Sequence, residues 1–129
     1  PYSMLNRDIE KELWPFCAEH QSGVIVYSPL ERGLLTGRMT RERIAQFPED
    51  DHRRRYPPFQ EPQLTANLRL VEALRPIAER HGRTVAQLAI AGAIVGIRRP
   101  SQIEELVAAG DWVLTAEDIE AIETNLPPA

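Results

Sequence analysis

Two stretches of this sequence carry residues suited to holding phosphate. The first is Tyr27-Ser28-Pro29-Leu30, continuing through Gly33-Leu34-Leu35-Thr36-Gly37-Arg38, directly after the apolar run Val24-Ile25-Val26. Backbone N–H groups gathered at a strand end bind phosphate oxygens without needing a full positive charge, and an arginine such as Arg38 can reach over the same anion. The second is Gly96-Ile97-Arg98-Arg99-Pro100-Ser101, followed by Gln102, Glu104 and Glu105. Ser101 with Glu104 is a capping-box pair and opens a helix. The first turn of a helix offers unpaired N–H groups and a partial positive charge, both favourable for an anion, and Arg98 and Arg99 stand just ahead of it. On the residues alone the plainer readings stay open: Arg38 as a solvated loop arginine, Tyr27 as a rim tyrosine, Glu104 and Glu105 as cap and surface charges. Nothing points to hydrolysis or metal chemistry. His20, His52 and His81 fall at helix ends or in a loop, and the sequence has no metal-ligand cluster, no Ser/His/Asp arrangement and no glycine-rich Walker loop.

The elements that must position these stretches alternate in type. Residues 7–20 read as a helix, with Ile9, Leu13, Phe16 and Cys17 at helical spacing, Asn6 as cap and a kink or break at Pro15. Gly23 ends it, and Val24-Ile25-Val26-Tyr27 follows as a short strand whose apolar run without polar alternation marks burial on both faces, as in parallel sheets. Residues 31–61 read mostly as loop, with a short helix near 41–47; a loop of that length is usually a lid or a binding loop. A helix spans about 62–81 through Leu64, Leu68, Val71, Leu74 and Ala78, and Gly82 stops it. Thr84 and Gln87 form a capping box for the next helix. Ala93-Ile94-Val95 reads as a second buried strand, the Ser101 helix runs to about 109, and Thr115 caps a last helix with Ile119 and Ile122 on its apolar face. Strands alternating with helices imply a parallel α/β arrangement with right-handed crossovers.

Composition narrows the setting. The chain has 129 residues, 43% hydrophobic and 26% charged, as ordinary for a globular domain or part of one. A net charge of −4 gives no electrostatic case for nucleic acid or an acidic membrane surface. Arg53-Arg54-Arg55 beside Glu49, Asp50 and Asp51 reads as a solvated, self-compensating loop. A single cysteine, Cys17, cannot form an intrachain disulfide, which fits a reduced, cytoplasmic compartment. No apolar stretch approaches membrane-spanning length. The start at Pro1-Tyr2-Ser3, without an initiator Met, suggests a piece of a longer chain.

Three segments together resemble the aldo-keto reductases. Residues 27–38 resemble the loop after the seventh barrel strand of that family. Residues 93–105 (Ala-Ile-Val-Gly-Ile-Arg-Arg-Pro-Ser-Gln-Ile-Glu-Glu) resemble the eighth strand with its loop and helix, and Pro1-Tyr2-Ser3-Met4-Leu5-Asn6-Arg7 resembles the chain leaving the sixth. The order and spacing hold over nearly the whole chain, and the likeness is greatest to the bacterial branch related to potassium-channel β subunits. The resemblance implies the C-terminal sector of a partial (β/α)₈ TIM barrel, with residues 1–129 forming one such fragment. It implies NADPH/NADP+ as cofactor, with Tyr27 stacked on nicotinamide. Ser28, Pro29, Leu30 and Arg38 would lie along the pyrophosphate, Gly96 and Arg98 at the 2′-phosphate end, and Gln102 and Glu105 on adenosine. An asparagine is common after the second glutamate in the family; Leu106 stands there, which removes one adenine contact.

The family reduces aldehydes and ketones with an Asp, Tyr, Lys and His set, and nothing here matches those motifs. The expectation is therefore a parent enzyme acting on a small-molecule carbonyl, with this chain alone inactive and contributing no catalytic group. The rival expectation is a non-enzymatic NADPH-sensing module similar to channel β subunits; a third is a small α/β domain complete in itself. Relatives also continue for roughly ten more residues between Ala91 and Gly92. The sequence sets neither the substrate nor an oligomeric state.

Overall fold

The computed structural model describes residues 1–91 and 112–126. The expected strand at 93–95 and the helix opened by Ser101 lie outside the described residues, as do Gly96, Arg98, Arg99, Gln102 and Glu105. Within them, α1 spans Leu13–Glu19, α2 Arg41–Ala45, α3 Gln63–Arg80, α4 Val85–Ile90 and α5 Ala116–Asn125, with 3₁₀ turns at Asp8–Glu10, Glu31–Thr36, His52–Arg55 and Pro57–Phe59.

Helix α3 is the organising element. Its residues Leu64, Leu70, Val71, Leu74, Ile77 and Ala78 are buried, a 3.6-residue repeat that turns one stripe inward. Pro76 lies inside it on the exposed side and does not stop the helix. The helix ends as the sequence suggests. Gly82 takes φ +63, its N–H donates to Glu79 O at 3.0 Å, and Arg83 N–H reaches back to Ala78 O at 2.9 Å. These paired bonds satisfy the last carbonyls in a Schellman arrangement.

Helix α4 starts on the expected box: Thr84 N–H donates to Gln87 Oε1 at 2.8 Å and Gln87 N–H to Thr84 Oγ1 at 3.2 Å. All six α4 residues are buried. Leu88 and Ala89 join Val71, Leu74, Ile77 and Ile122 in one cluster, while Leu34, Met39, Phe47, Phe59 and Leu64 form a second. Of the two isoleucines expected on the apolar face of α5, Ile122 is buried and Ile119 is largely exposed.

Two expectations at the N-terminal end are corrected. Residues 7–20 do not form one helix. A proline blocks the helical bond to the residue four before it, so the chain makes a separate turn at Asp8–Glu10 and restarts at Leu13, placing Pro15 third in α1, where its missing N–H costs nothing. There is no kink, and Asn6 caps no helix; it exchanges backbone bonds with Ser3 at 3.0 and 3.1 Å. Residues 24–27 do not form a ladder, and no strand occurs among the described residues. A single bond, Tyr2 N–H to Tyr27 O at 3.1 Å, holds the segment. A strand is defined by its neighbours, and none is present there; Val24 and Val26 are half-buried near Trp14 and Cys17, whereas Ile25 is 80% exposed.

Asp118 joins the two ends of the helical layer. It is 1% exposed, accepts Thr115 Oγ1 at 2.8 Å and Thr115 N–H at 3.1 Å, and meets Arg80 Nη2 and His81 Nε2, each at 2.9 Å. The Thr115 hydroxyl, then His81, holds its carboxyl down at about 2, below the ordinary 3.8. A depressed folded-state value means the stabilisation is complete above pH 3.8 and disappears as pH falls through about 2. Asp118→Ala is therefore expected to lower the melting temperature at pH 7. The gap from the wild type should close in melts run between pH 4 and 2; a gap constant down to pH 2 contradicts the role.

Candidate functional site

The segment 27–38 is a tightly wound loop pinned from below. Leu34 and Leu35 are both fully buried but enter different clusters, Leu34 among Met39, Phe47 and Phe59, Leu35 among Leu70, Leu74 and Leu88. The backbone ahead of them reverses sharply, as four consecutive dihedrals show: Leu30 at φ −95, then Glu31, Arg32 and Gly33 at +45, +56 and +99. Ser28 is also left-handed, at +63, and Gly37 at +73. For the three residues with a Cβ the conformation costs roughly 1–2 kcal/mol each. Burying two leucines returns roughly 1.5–3 kcal/mol apiece, enough to hold the turn. Leu30 O accepts Gly33 N–H at 2.9 Å and Leu35 N–H at 3.1 Å, and Ser28 O accepts Glu31 N–H at 3.0 Å.

The residues singled out from the sequence in this segment occupy distinct places. Tyr27 is 63% exposed. Ser28 is exposed, and among the described residues neither its backbone N–H nor that of Leu30 has an acceptor. Pro29 is buried and lines a crevice of about 180 Å³ with Tyr2, Met4, Leu88 and Ile122. Leu30 packs on the larger cluster. Arg38 is exposed; its guanidinium makes no ion pair among the described residues, and its carbonyl accepts Arg43 Nη1 at 3.5 Å. Tyr27 through Arg38 thus share one loop. Gly96, Arg98, Gln102 and Glu105 lie outside the described residues.

Three residues absent from the sequence reading prove central. Glu31 is 2% exposed, and its carboxylate accepts Ser3 Oγ at 2.8 Å and Tyr56 Oη at 2.9 Å. The Arg32 guanidinium lies over the Tyr56 ring, 3.8 Å from its centroid, a cation–π contact. Burial first, then the bond to Glu31, raises the Tyr56 hydroxyl above its usual range. No local pattern announces these contacts, because their partners are 25 and 28 residues apart.

Other ionisable groups nearby are committed to structure. Burial, reinforced by a 2.7 Å bond to Glu10, pushes the Tyr2 hydroxyl up to about 12, which makes it a poor proton donor near neutrality. Arg53 bonds Asp51 through two nitrogens and holds that carboxyl at about 2, so part of the charged run at 49–55 is indeed self-compensating. His20 Nδ1 lies 2.9 Å from Phe16 O, and His81 is on Asp118. The described residues contain no group of three or more potential metal ligands and no helix long and apolar enough to cross a membrane.

Comparison with known proteins agrees with the loop's resemblance. The chain matches the aldo/keto reductase family over residues 1–126 and belongs to that family. It is 35% identical to aldo-keto reductase YhdN of Bacillus subtilis, over 98% of this chain and 40% of the relative. It is 33% identical to the NADH-specific methylglyoxal reductase of Escherichia coli, over 95% and 41%. Its fold is similar to that of a glycerol dehydrogenase from Gluconobacter oxydans, with a TM-score of 0.86 and 32% identity over 95% of this chain and 39% of the other. The chain therefore spans about two fifths of the length of these relatives. The alignment with the Bacillus protein runs over 136 positions, more than the 129 residues of this chain, so that relative carries residues this chain lacks.

The loop geometry makes a stability prediction. A Cβ on Gly37 would sit 3.1 Å from Val85 Cβ and adopt φ +73. Gly37→Ala is expected to destabilise by about 1–2 kcal/mol from the backbone alone, with crowding of the buried, β-branched Val85 in addition. Gly23, whose added Cβ would meet nothing within 4 Å, is the control, and Gly23→Ala should stay within about 0.5 kcal/mol of the parent. Urea midpoints compare the two, and equal midpoints contradict this account of Gly37.

Proposed function

We propose that this chain is the C-terminal sector of a partial (β/α)₈ barrel, belonging to an NADPH-dependent aldo-keto reductase that reduces aldehydes or ketones in the cytoplasm. In this reading residues 1–129 supply cofactor contacts, while the Asp, Tyr, Lys and His set of the family lies elsewhere in the parent protein. The substrate is a small carbonyl compound; nucleic acid and membrane are not partners. The observation that carries the reading is the loop at 27–38 in a chain of this family. It combines an exposed aromatic ring, two backbone N–H groups without acceptors among the described residues, and an exposed guanidinium without an ion pair among them.

That donor set suits a dinucleotide. Tyr27 offers a flat face to nicotinamide. The N–H groups of Ser28 and Leu30, on either side of Pro29, suit phosphate oxygens, and Arg38 adds charge beside them. Gly96 and Arg98 are assigned to the 2′-phosphate end, and Gln102 and Glu105 to adenosine. The nicotinamide supplies hydride when bound; this chain's residues hold and orient it. Because one relative is named NADH-specific, cofactor choice is the point at which the reading is most exposed to test.

Two measurements on the full-length protein address it. Tyr27→Phe is expected to keep most cofactor affinity, whereas Tyr27→Ala should lose roughly 1–3 kcal/mol, by analogy with base-on-aromatic stacking. Equal damage in both variants would assign the function to the hydroxyl instead. Arg98→Ala should weaken NADPH more than NADH by about 1–3 kcal/mol, the worth of a charge-assisted contact. Equal losses for the two cofactors, measured by fluorescence titration, remove Arg98 from the 2′-phosphate.

A further inference from the structure

The strained part of the loop is not held by Leu34 and Leu35 alone. Glu31 and Arg32, the two successive left-handed residues with side chains, are both gripped by Tyr56. Its hydroxyl donates to the Glu31 carboxylate at 2.9 Å, and its ring lies under the Arg32 guanidinium at 3.8 Å. Both contacts depend on where the Glu31 and Arg32 side chains leave the left-handed backbone. The other Glu31 oxygen accepts the Ser3 hydroxyl at 2.8 Å, so one buried carboxylate joins three segments far apart in sequence. A carboxylate that is 2% exposed, with two hydroxyl partners and no ion pair among the described residues, is a weak way to gain stability. Apolar residues of the same shape would serve stability as well or better. What the carboxylate adds is direction: it accepts only from donors that stand where Ser3 and Tyr56 stand.

The tether leads straight to the residues assigned to cofactor. Glu31 N–H donates to Ser28 O at 3.0 Å, and Leu30 O takes the N–H groups of Gly33 and Leu35. Moving Glu31 therefore moves Ser28 and Leu30.

We propose that Glu31 and Tyr56 are positioning residues for the dinucleotide, fixing the backbone at 28–30 by tying it to the segment at 52–59. The inference rests on the cofactor reading given above. Neither side chain needs to touch the cofactor. Their role is to keep the Ser28 and Leu30 N–H groups in place before it binds, so that binding does not have to order them.

The test uses the full-length protein and titrates NADPH and NADH separately. Tyr56→Phe keeps the ring under Arg32 and removes only the hydroxyl. Glu31→Gln keeps the shape and removes one acceptor. Each is expected to weaken the preferred cofactor by about tenfold, the scale of one hydrogen bond to a charged group. The KM for the carbonyl substrate and the hydride-transfer rate at saturating cofactor should stay within about twofold of the parent. A role in general stability would not separate these quantities. Far-UV circular dichroism checks folding, and Ser3→Ala, which removes the other hydroxyl, carries the same test should either variant fail to fold. Unchanged cofactor affinity in folded variants, with Tyr27→Ala still weakened, overturns the tether and leaves the cofactor reading standing. A carbonyl KM that rises as much as the cofactor constant also overturns it. If the parent protein binds neither NADPH nor NADH, both the reading and the tether fall.

Discussion

Leu34 and Leu35 are adjacent in sequence and belong to different cores. Leu35 enters the cluster built by α3, α4 and Ile122 of α5, and Leu34 enters the one formed by Met39, Phe47, Phe59 and Leu64. Most of the remaining arrangement follows from that constraint. The backbone ahead of them is wound left-handed at Ser28 and over residues 31–33, where the strain lies. The long connection from 39 to 61 has only short helical turns of its own, and Leu34 gives it a nucleus around which Phe47 and Phe59 pack at a ring separation of 6.0 Å. Helix α3 serves both clusters, Leu64 on one and Leu70 onward on the other, so the loop is set relative to the helices by apolar packing before any polar contact is made.

The two buried carboxylates show how polar groups refine such a frame. Asp118 sits beside Arg80 and His81 and closes its own helix through Thr115. Its charge is compensated by two basic side chains from the end of α3, so its effect is on stability. Among the described residues, the Glu31 carboxylate has hydroxyl partners alone, Ser3 and Tyr56, from distant segments. Its desolvation is offset by two hydrogen bonds, which leaves orientation as its principal contribution.

Separation along the chain divides what could be read from the residues from what could not. Thr84 with Gln87, Gly82 after α3, Thr115 before α5 and the short helix after Thr40 were all legible, because each signal and its partner lie within a turn of one another. The loop at 27–38 was legible as a motif and its family followed from it, whereas its left-handed winding was not. The helix expected over 7–20, with a kink or break at Pro15, is broken ahead of that residue: the position of Pro15 within α1 is set by where the helix starts, and nothing at Asn6 fixed that start. Residues 24–27 failed for the opposite reason. Their apolar run does describe a segment that seeks neighbours, but a ladder is a property of two segments, and one bond from Tyr2 is all the described chain provides. Glu31 with Ser3 and Tyr56 gave no signal, since a carboxylate in a glycine- and leucine-rich loop reads as solvated until its partners are placed.

Departures from local rules are not spread evenly over the molecule. Ser28, Glu31 and Arg32, three of the four non-glycine residues with positive φ among the described residues, lie within five positions of one another, beside the exposed Ile25 and Tyr27, and the Glu31 side chain is buried. Backbone strain gathered at one place often marks a site whose geometry serves something besides stability. The strain lies beside the exposed ring and the N–H groups of Ser28 and Leu30, and the deeply buried carboxylate lies beneath the same turn. A loop required only to connect two cores could relax at Glu31 and Arg32 by placing glycine there. Retaining both side chains keeps the two handles that Tyr56 grips, and with them the orientation of the backbone next to Ser28 and Leu30.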